Sequence, residues 1–140
     1  MDKKYELSQS IALFRTLDIN EAYYGEISKA ELSFLIVIYN LKNDVRSIDL
    51  SKYFNCSKVY VSKIINKLVS NGFVEIEIAK KDKRIKLLKL SNKGKNIVKK
   101  NMDNYMEKTN NLFDKLGEEK ATLLNDLLVE ATKILKGNNK

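Results

Sequence analysis

Ser57-Lys58-Val59-Tyr60-Val61-Ser62-Lys63-Ile64-Ile65-Asn66-Lys67-Leu68-Val69-Ser70-Asn71-Gly72 reads as a capped helix with two opposed faces. At about 100° per residue, Val61, Ile64, Ile65 and Leu68 fall within one narrow arc, which faces a core. The opposite arc holds Val59, Ser62, Lys63, Asn66 and Ser70. Tyr60 and Lys67 lie to one side, and Lys58 sits near the N-terminus. Ser57 supplies the N-cap, and Asn71-Gly72 closes the C-terminal end. A surface helix ordinarily mixes glutamate into its exposed face to gain i,i+4 pairs. This one carries no acidic side chain from Ser57 to Ser70. That composition fits a face that approaches phosphate, and an outward Val59 suits contact with a thymine methyl group.

The flanks of this helix complete a pattern. Upstream, Ser47 is the expected N-cap of a short helix, with Asp49 in its first turn, and Asn55-Cys56-Ser57 breaks it after Phe54. Two helices joined by a turn of about three residues make a helix-turn-helix. Downstream, Val74, Ile76 and Ile78 alternate with Glu75 and Glu77, the period of a strand. Lys80-Lys81-Asp82-Lys83-Arg84 is a charged turn. Ile85, Leu87 and Leu90 then return as a second strand, with Leu88 out of phase and expected to mark a bulge. A basic hairpin directly after a helix-turn-helix is a wing.

Further out, Leu7, Ile11, Phe14 and Leu17 recur at helical spacing between about Lys4 and Thr16. The pattern breaks from Asp18 to Ile27, with Gly25 as the expected turn. Ser28 and Glu31 form a capping box ahead of Leu32, Leu35, Ile36 and Tyr39, predicting a helix that ends near residues 42–44. Ser91 caps a long helix to about Leu116. Gly117 ends it, and a last helix carries a broad apolar face from Leu123 to Leu135. The expected class is mainly α (α+β), a winged helix-turn-helix with long N- and C-terminal helices. At 140 residues the chain is read as one domain.

Charge follows the same division. Residues 37–100 hold sixteen basic and five acidic side chains, a net of +11, whereas residues 1–36 and 101–140 carry −2 and −1. A basic centre between near-neutral flanks is the electrostatic footprint of a nucleic-acid reader. Histidine is absent and Cys56 is the single cysteine. Zinc chemistry and Cys/His or Ser/His nucleophilic catalysis are thereby excluded, and no paired-acid constellation or glycine-rich phosphate loop appears. An enzyme is not expected, nor a metal site or cofactor. No run approaches the roughly eighteen apolar residues of a membrane span, and no signal-peptide core is present, so a cytoplasmic location is expected. Cys56, beside Lys58 and a helix N-terminus, is either a small side chain in the helix-helix turn or a redox site, and the former is favoured because the chain offers no resolving thiol.

Val61-Ser62-Lys63-Ile64-Ile65-Asn66-Lys67-Leu68, then Asn71-Gly72-Phe73-Val74, Asp82-Lys83-Arg84 and Leu90-Ser91-Asn92-Lys93-Gly94 resemble the MarR family. That family reads roughly V-S-R-L-V-D-R-L, K-G-L-V, D-R-R and L-T-x-x-G at these spacings. The resemblance covers essentially the whole chain and is most specific from Ser47 to Gly94. It implies a transcriptional regulator, most often a repressor, that binds a pseudo-palindromic double-stranded DNA operator as a homodimer. Residues 28–91 would form the winged core, and residues 1–20 and 91–137 the dimerisation helices. Lys58, Val59, Tyr60, Ser62, Lys63, Asn66 and Lys67 would contact DNA from the recognition helix. Val59, Ser62 and Lys63 are expected at base edges, and Tyr60, Asn66 and Lys67 on phosphates. Lys80, Lys81, Asp82, Lys83 and Arg84 form the wing, where Arg84, oriented by Asp82, would enter a minor groove.

The resemblance also implies a small-molecule effector in a cleft, for which Phe14, Tyr23, Tyr24, Phe34, Tyr39 and Phe113 are the candidate lining. Aromatic residues at helical spacing serve as core more often than as pocket. Two other functions share the fold. An effector-independent architectural or global DNA-binding protein would keep the wing and the same recognition face. A winged-helix protein-interaction adaptor would not require an acid-free, lysine-rich face.

Overall fold

The computed structural model describes residues 2–17, 27–41 and 44–137. Among the described residues eight elements follow one another: α1 (Lys3–Arg15), α2 (Lys29–Asn40), α3 (Ser47–Phe54), α4 (Lys58–Ser70), β1 (Val74–Ile78), β2 (Lys86–Leu90), α5 (Asn92–Leu116) and α6 (Glu118–Leu135). The stretch read as a break around Gly25 lies outside the described residues. The chain divides into two compact units, residues 22–103 and residues 1–21 with 104–140. α5 contributes to both.

Residues 22–103 form a winged helix-turn-helix. α2 starts where the sequence says, with Ser28 Oγ accepting from the Glu31 N–H at 3.2 Å and Glu31 Oε1 accepting from the Ser28 N–H at 2.9 Å. α3 differs by one residue. Its N-cap is Arg46, whose N–H donates to Asp49 Oδ2 at 2.9 Å, so Ser47 is the first helical residue. The carboxylate three residues along reaches back more effectively than a serine one position too late. Asn55 adopts the left-handed conformation that ends α3, and Ser57 Oγ then accepts from the Tyr60 N–H at 3.1 Å to begin α4. Gly72, at φ +80°, turns the chain from α4 into the sheet.

The core of this unit is built from Leu32, Phe34 and Leu35 of α2, Leu50 of α3, Val61, Ile65 and Leu68 of α4, and Phe73, Val74, Leu88 and Leu90 of the hairpin. Phe34 stacks on Phe54 with ring centroids 4.6 Å apart, which ties α2 to α3.

The hairpin corrects one expectation. β1 and β2 pair one-to-one from Val74 opposite Leu90 to Ile78 opposite Lys86, so there is no bulge at Leu88. Leu88 instead lies two residues from Leu90 on the same face of an unbroken strand and is buried with it, while its N–H donates to the Val45 carbonyl at 2.7 Å, a bridge on the far edge of β2. The alternation of Val74, Ile76 and Ile78 forms the strand as read, with Val74 buried and Ile76 and Ile78 exposed. From Glu75 onward β1 is exposed, while Leu87 and Leu88 of β2 stay buried.

α5 begins in a joint with the end of α4. Ser91 Oγ accepts from the Gly94 N–H at 3.0 Å and donates to the Gly72 carbonyl, while the Ser91 N–H donates to the Phe73 carbonyl. Lys93 Nζ donates to the Asn71 carbonyl at 2.9 Å and lies 4.6 Å from the centre of the Phe73 ring. A cation on the last carbonyls of α4 complements that end of the helix dipole.

In the other unit, α1 and α6 bury no residue within the single chain. Leu7, Ile11, Leu13, Leu123, Leu127 and Leu135 are all exposed. A groove of about 420 Å³ lies among Phe14, Leu112, Phe113, Leu116, Leu124 and Leu128. Among the described residues no helix is long and apolar enough to cross a membrane.

Candidate nucleic-acid interface

α4 carries the densest set of candidate contacts, and its orientation follows from the three side chains it buries. Val61, Ile65 and Leu68 anchor one face, which forces the opposite face outward. Val59 is 80% exposed, and Ser62, Lys63, Asn66 and Ser70 are exposed around it. Ile64, read as core, is half-buried at the margin of the packed face. Lys58 occupies the first turn, which contains no acid. A cation there opposes the positive end of the helix dipole, an arrangement that becomes favourable when an anion approaches the N-terminus. Lys58 and Ser62 border a cleft shared with Ser47 and Ile48 of α3.

The other flank of α4 is different. Tyr60 turns its ring edge-on to Phe34, with centroids 6.3 Å apart, and Lys67 Nζ lies 3.4 Å from Glu31 Oε2. Both partners belong to α2. Tyr60 and Lys67 therefore face the protein as well as solvent, and the outward set narrows to Val59, Ser62, Lys63 and Asn66, with Lys58 at the end.

The wing holds its arginine by a local device. Asp82 Oδ1 accepts from the Arg84 backbone N–H and from Nε, each at 3.0 Å, and Asp82 Oδ2 accepts from an Arg84 terminal nitrogen at 3.0 Å. The planar guanidinium is gripped along one edge, the geometry that a lysine could not reproduce. Its side chain remains 90% exposed, so the other edge is free. Hydrogen bonds from the Arg84 side chain, and then from its backbone, hold the Asp82 carboxyl below its usual range and keep it ionised. Lys80, Lys81 and Lys83 surround this pair on the exposed turn.

The remaining candidates divide between the two units. Phe34 is 2% exposed and belongs to the core. Phe14 and Phe113 border the groove in the flanking unit, and Tyr39 borders a separate one with Val45 and Leu88. Tyr23 and Tyr24 lie outside the described residues. Cys56 is half-buried in the turn between α3 and α4, where its N–H donates to the Ser51 carbonyl and its own carbonyl accepts from Ser51 Oγ at 2.6 Å. Among the described residues no three potential metal ligands of the His, Cys, Asp and Glu types cluster.

Sequence reasoning missed two features that position the site. The joint of Ser91, Lys93 and Gly94 was visible only as a motif, though its serine-to-glycine spacing was a usable signal. The Glu31–Lys67 pair joins positions too far apart in the chain for any local pattern to connect them.

A winged helix whose outward helix face is acid-free, whose wing aims one arginine outward and whose capping-box helix lies behind is the arrangement at residues 27–86, and these residues match the family model described as the MarR family. The match covers the winged helix-turn-helix and marks these residues as similar to that family. No curated protein matches the chain. Among solved structures, the fold is similar to Streptococcus pneumoniae FabT in complex with DNA, at 20% identity and a TM-score of 0.71 over 99% of this chain and 100% of that one. It is also similar to the adhesin competence repressor AdcR of Streptococcus pyogenes, at 16% identity and a TM-score of 0.70 over 96% and 98%. S. aureus MepR in its DNA complex is similar at 19% identity and a TM-score of 0.66 over 79% and 80%. At these identities the likeness establishes the fold, and the roles of the outward residues of α4 and the wing rest on their own chemistry.

Proposed function

We propose that this protein is a transcriptional regulator that binds a pseudo-palindromic site on double-stranded DNA as a homodimer and represses by occluding a promoter. The observation that carries the reading is the outward face of α4, where Val59, Ser62, Lys63 and Asn66 are exposed and no acidic side chain stands between Ser57 and Ser70. Such a face offers hydrogen-bond donors and an apolar contact to base edges in a major groove, while Lys58 and the wing meet phosphate. Arg84, splayed outward by Asp82, has the shape and charge for a narrow minor groove. The solved DNA complexes of FabT and MepR add support from the same fold. Dimerisation is supported by the flanking unit, whose α1 and α6 expose an apolar stripe that one chain leaves wet. Two copies would place two α4 helices one turn of DNA apart.

The test is binding of the purified protein to its own upstream DNA and to a shuffled duplex between roughly 50 and 200 mM salt. Specific binding near about 10⁻⁸ M or tighter, with a steep salt slope, is expected. Equal affinity for both duplexes would indicate an architectural protein, and no binding at low salt would sink the reading. Sedimentation of the free protein should give a dimer.

Substitution separates the two contact types. Lys63→Ala should cost about 1–3 kcal/mol at the preferred site and relax its specificity. A uniform loss on all sequences would place Lys63 on the backbone instead.

A further inference from the structure

Tyr60 and Lys67, both assigned to phosphate by sequence, lie on one flank of α4 and both turn to α2 in the structure. Tyr60 meets Phe34, and Lys67, two helical turns along, meets Glu31, close to one turn before Phe34 on α2. That flank is a seam between two helices. The two partners of the ion pair are unequal. The Glu31 side chain is 5% exposed and the Lys67 side chain 64%. Glu31 Oε1 is already committed to the Ser28 N–H in the capping box, leaving Oε2 for the ammonium. Burial raises the Glu31 carboxyl, but the Ser28 N–H and Lys67 outweigh it and hold the group below its ordinary value, ionised.

A phosphate that drew Lys67 away would leave a buried carboxylate without its cation, which is far costlier than leaving an exposed lysine in water. The Asp82–Arg84 pair has the opposite character, since its arginine is the exposed partner and keeps one edge free.

We propose that Glu31 is a positioning residue that holds Lys67 as an internal tie between α4 and α2, so that Lys67 fixes how the recognition helix is presented and does not neutralise a DNA phosphate. The inference rests on the DNA-binding reading for its second half; the tie itself does not.

Glutamine at position 31 gives a clean test, because S-x-x-Q still forms the capping box while the charge is removed. The full-length protein is titrated with the duplex of its own upstream sequence across salt, where each phosphate neutralised contributes about 0.9 to the log–log slope. Lys67→Ala should lower affinity by the same factor at every salt concentration and leave the slope unchanged. Glu31→Gln should steepen the slope by about 0.9 as Lys67 is released to phosphate, and the double variant should return to the wild-type slope. A slope made shallower by Lys67→Ala alone, or unaltered by Glu31→Gln, would overturn the proposal.

Thermal unfolding without DNA decides the tie independently. Lys67→Ala should lower Tm in the wild-type protein and have much less effect in the Glu31→Gln background. Equal losses in both backgrounds refute the tie whatever the DNA result. Failure of every variant to bind DNA, with the coupling present, would refute the DNA reading and leave the tie standing.

Discussion

Gly94→Ala will destabilise the protein by about 1–3 kcal/mol or more, although helix propensity alone predicts the opposite sign. Gly94 is the third residue of α5, where alanine would ordinarily gain about 1 kcal/mol over glycine. A Cβ at this position would lie 2.2 Å from the Phe73 carbonyl oxygen and 3.2 Å from its carbon. The obstacle is backbone, and it cannot swing aside as a side chain would. That carbonyl also accepts from the Ser91 N–H at 3.0 Å, so moving it breaks the joint between α4 and α5. Chemical denaturation of wild type and variant at equal protein concentration measures the effect; equal or greater stability of the alanine variant would refute the close approach. DNA affinity should fall with it, because the joint holds the C-terminal end of the recognition helix.

Phe34→Ala is expected to cost about 3–5 kcal/mol, the largest loss of any substitution considered. Phe34 is 2% exposed, stacks on Phe54 at an interplanar angle of 5°, and receives the edge of Tyr60. Truncation leaves a void where α2, α3 and α4 converge, and the loosely held helix-turn-helix should lose specific DNA binding along with stability. Against a total of about 5–15 kcal/mol for a domain, such a loss leaves little margin. The same experiment separates core from pocket. A ligand-lining phenylalanine would change the response to an effector while leaving unfolding near wild type, and that outcome would return Phe34 to the cleft.

The winged helix was legible because its signals are local. The capping box at Ser28 and Glu31, the cap at Ser57, the turn at Gly72 and the core arc of α4 each need only a few neighbouring residues to be read, and each is present. Asp82 and Arg84 were legible for the same reason, being two residues apart on one turn. The misreadings at Leu88 and at the start of α3 arose where a second arrangement competed with the one read. Leu88 keeps phase with Leu90 on an unbroken strand, and Asp49 reaches back to the Arg46 N–H and moves the cap of α3 by one residue.

The aromatic residues mark the boundary most sharply. Spacing alone could not tell whether Phe14, Phe34, Tyr39 and Phe113 share a cleft, since helical periodicity says which face a residue occupies and nothing about what covers it. Within the winged unit Phe34 is core and Tyr39 borders a groove, and within the flanking unit Phe14 and Phe113 border another. By itself the sequence determined the class of fold, the outward face of α4 and the basic wing, because capping, periodicity and charge are properties of short segments. Tertiary structure alone decided that Gly94 must lack a side chain, that Leu88 is core and that Lys67 is bound to Glu31, because close approach and the burial of a charge exist only once distant segments meet.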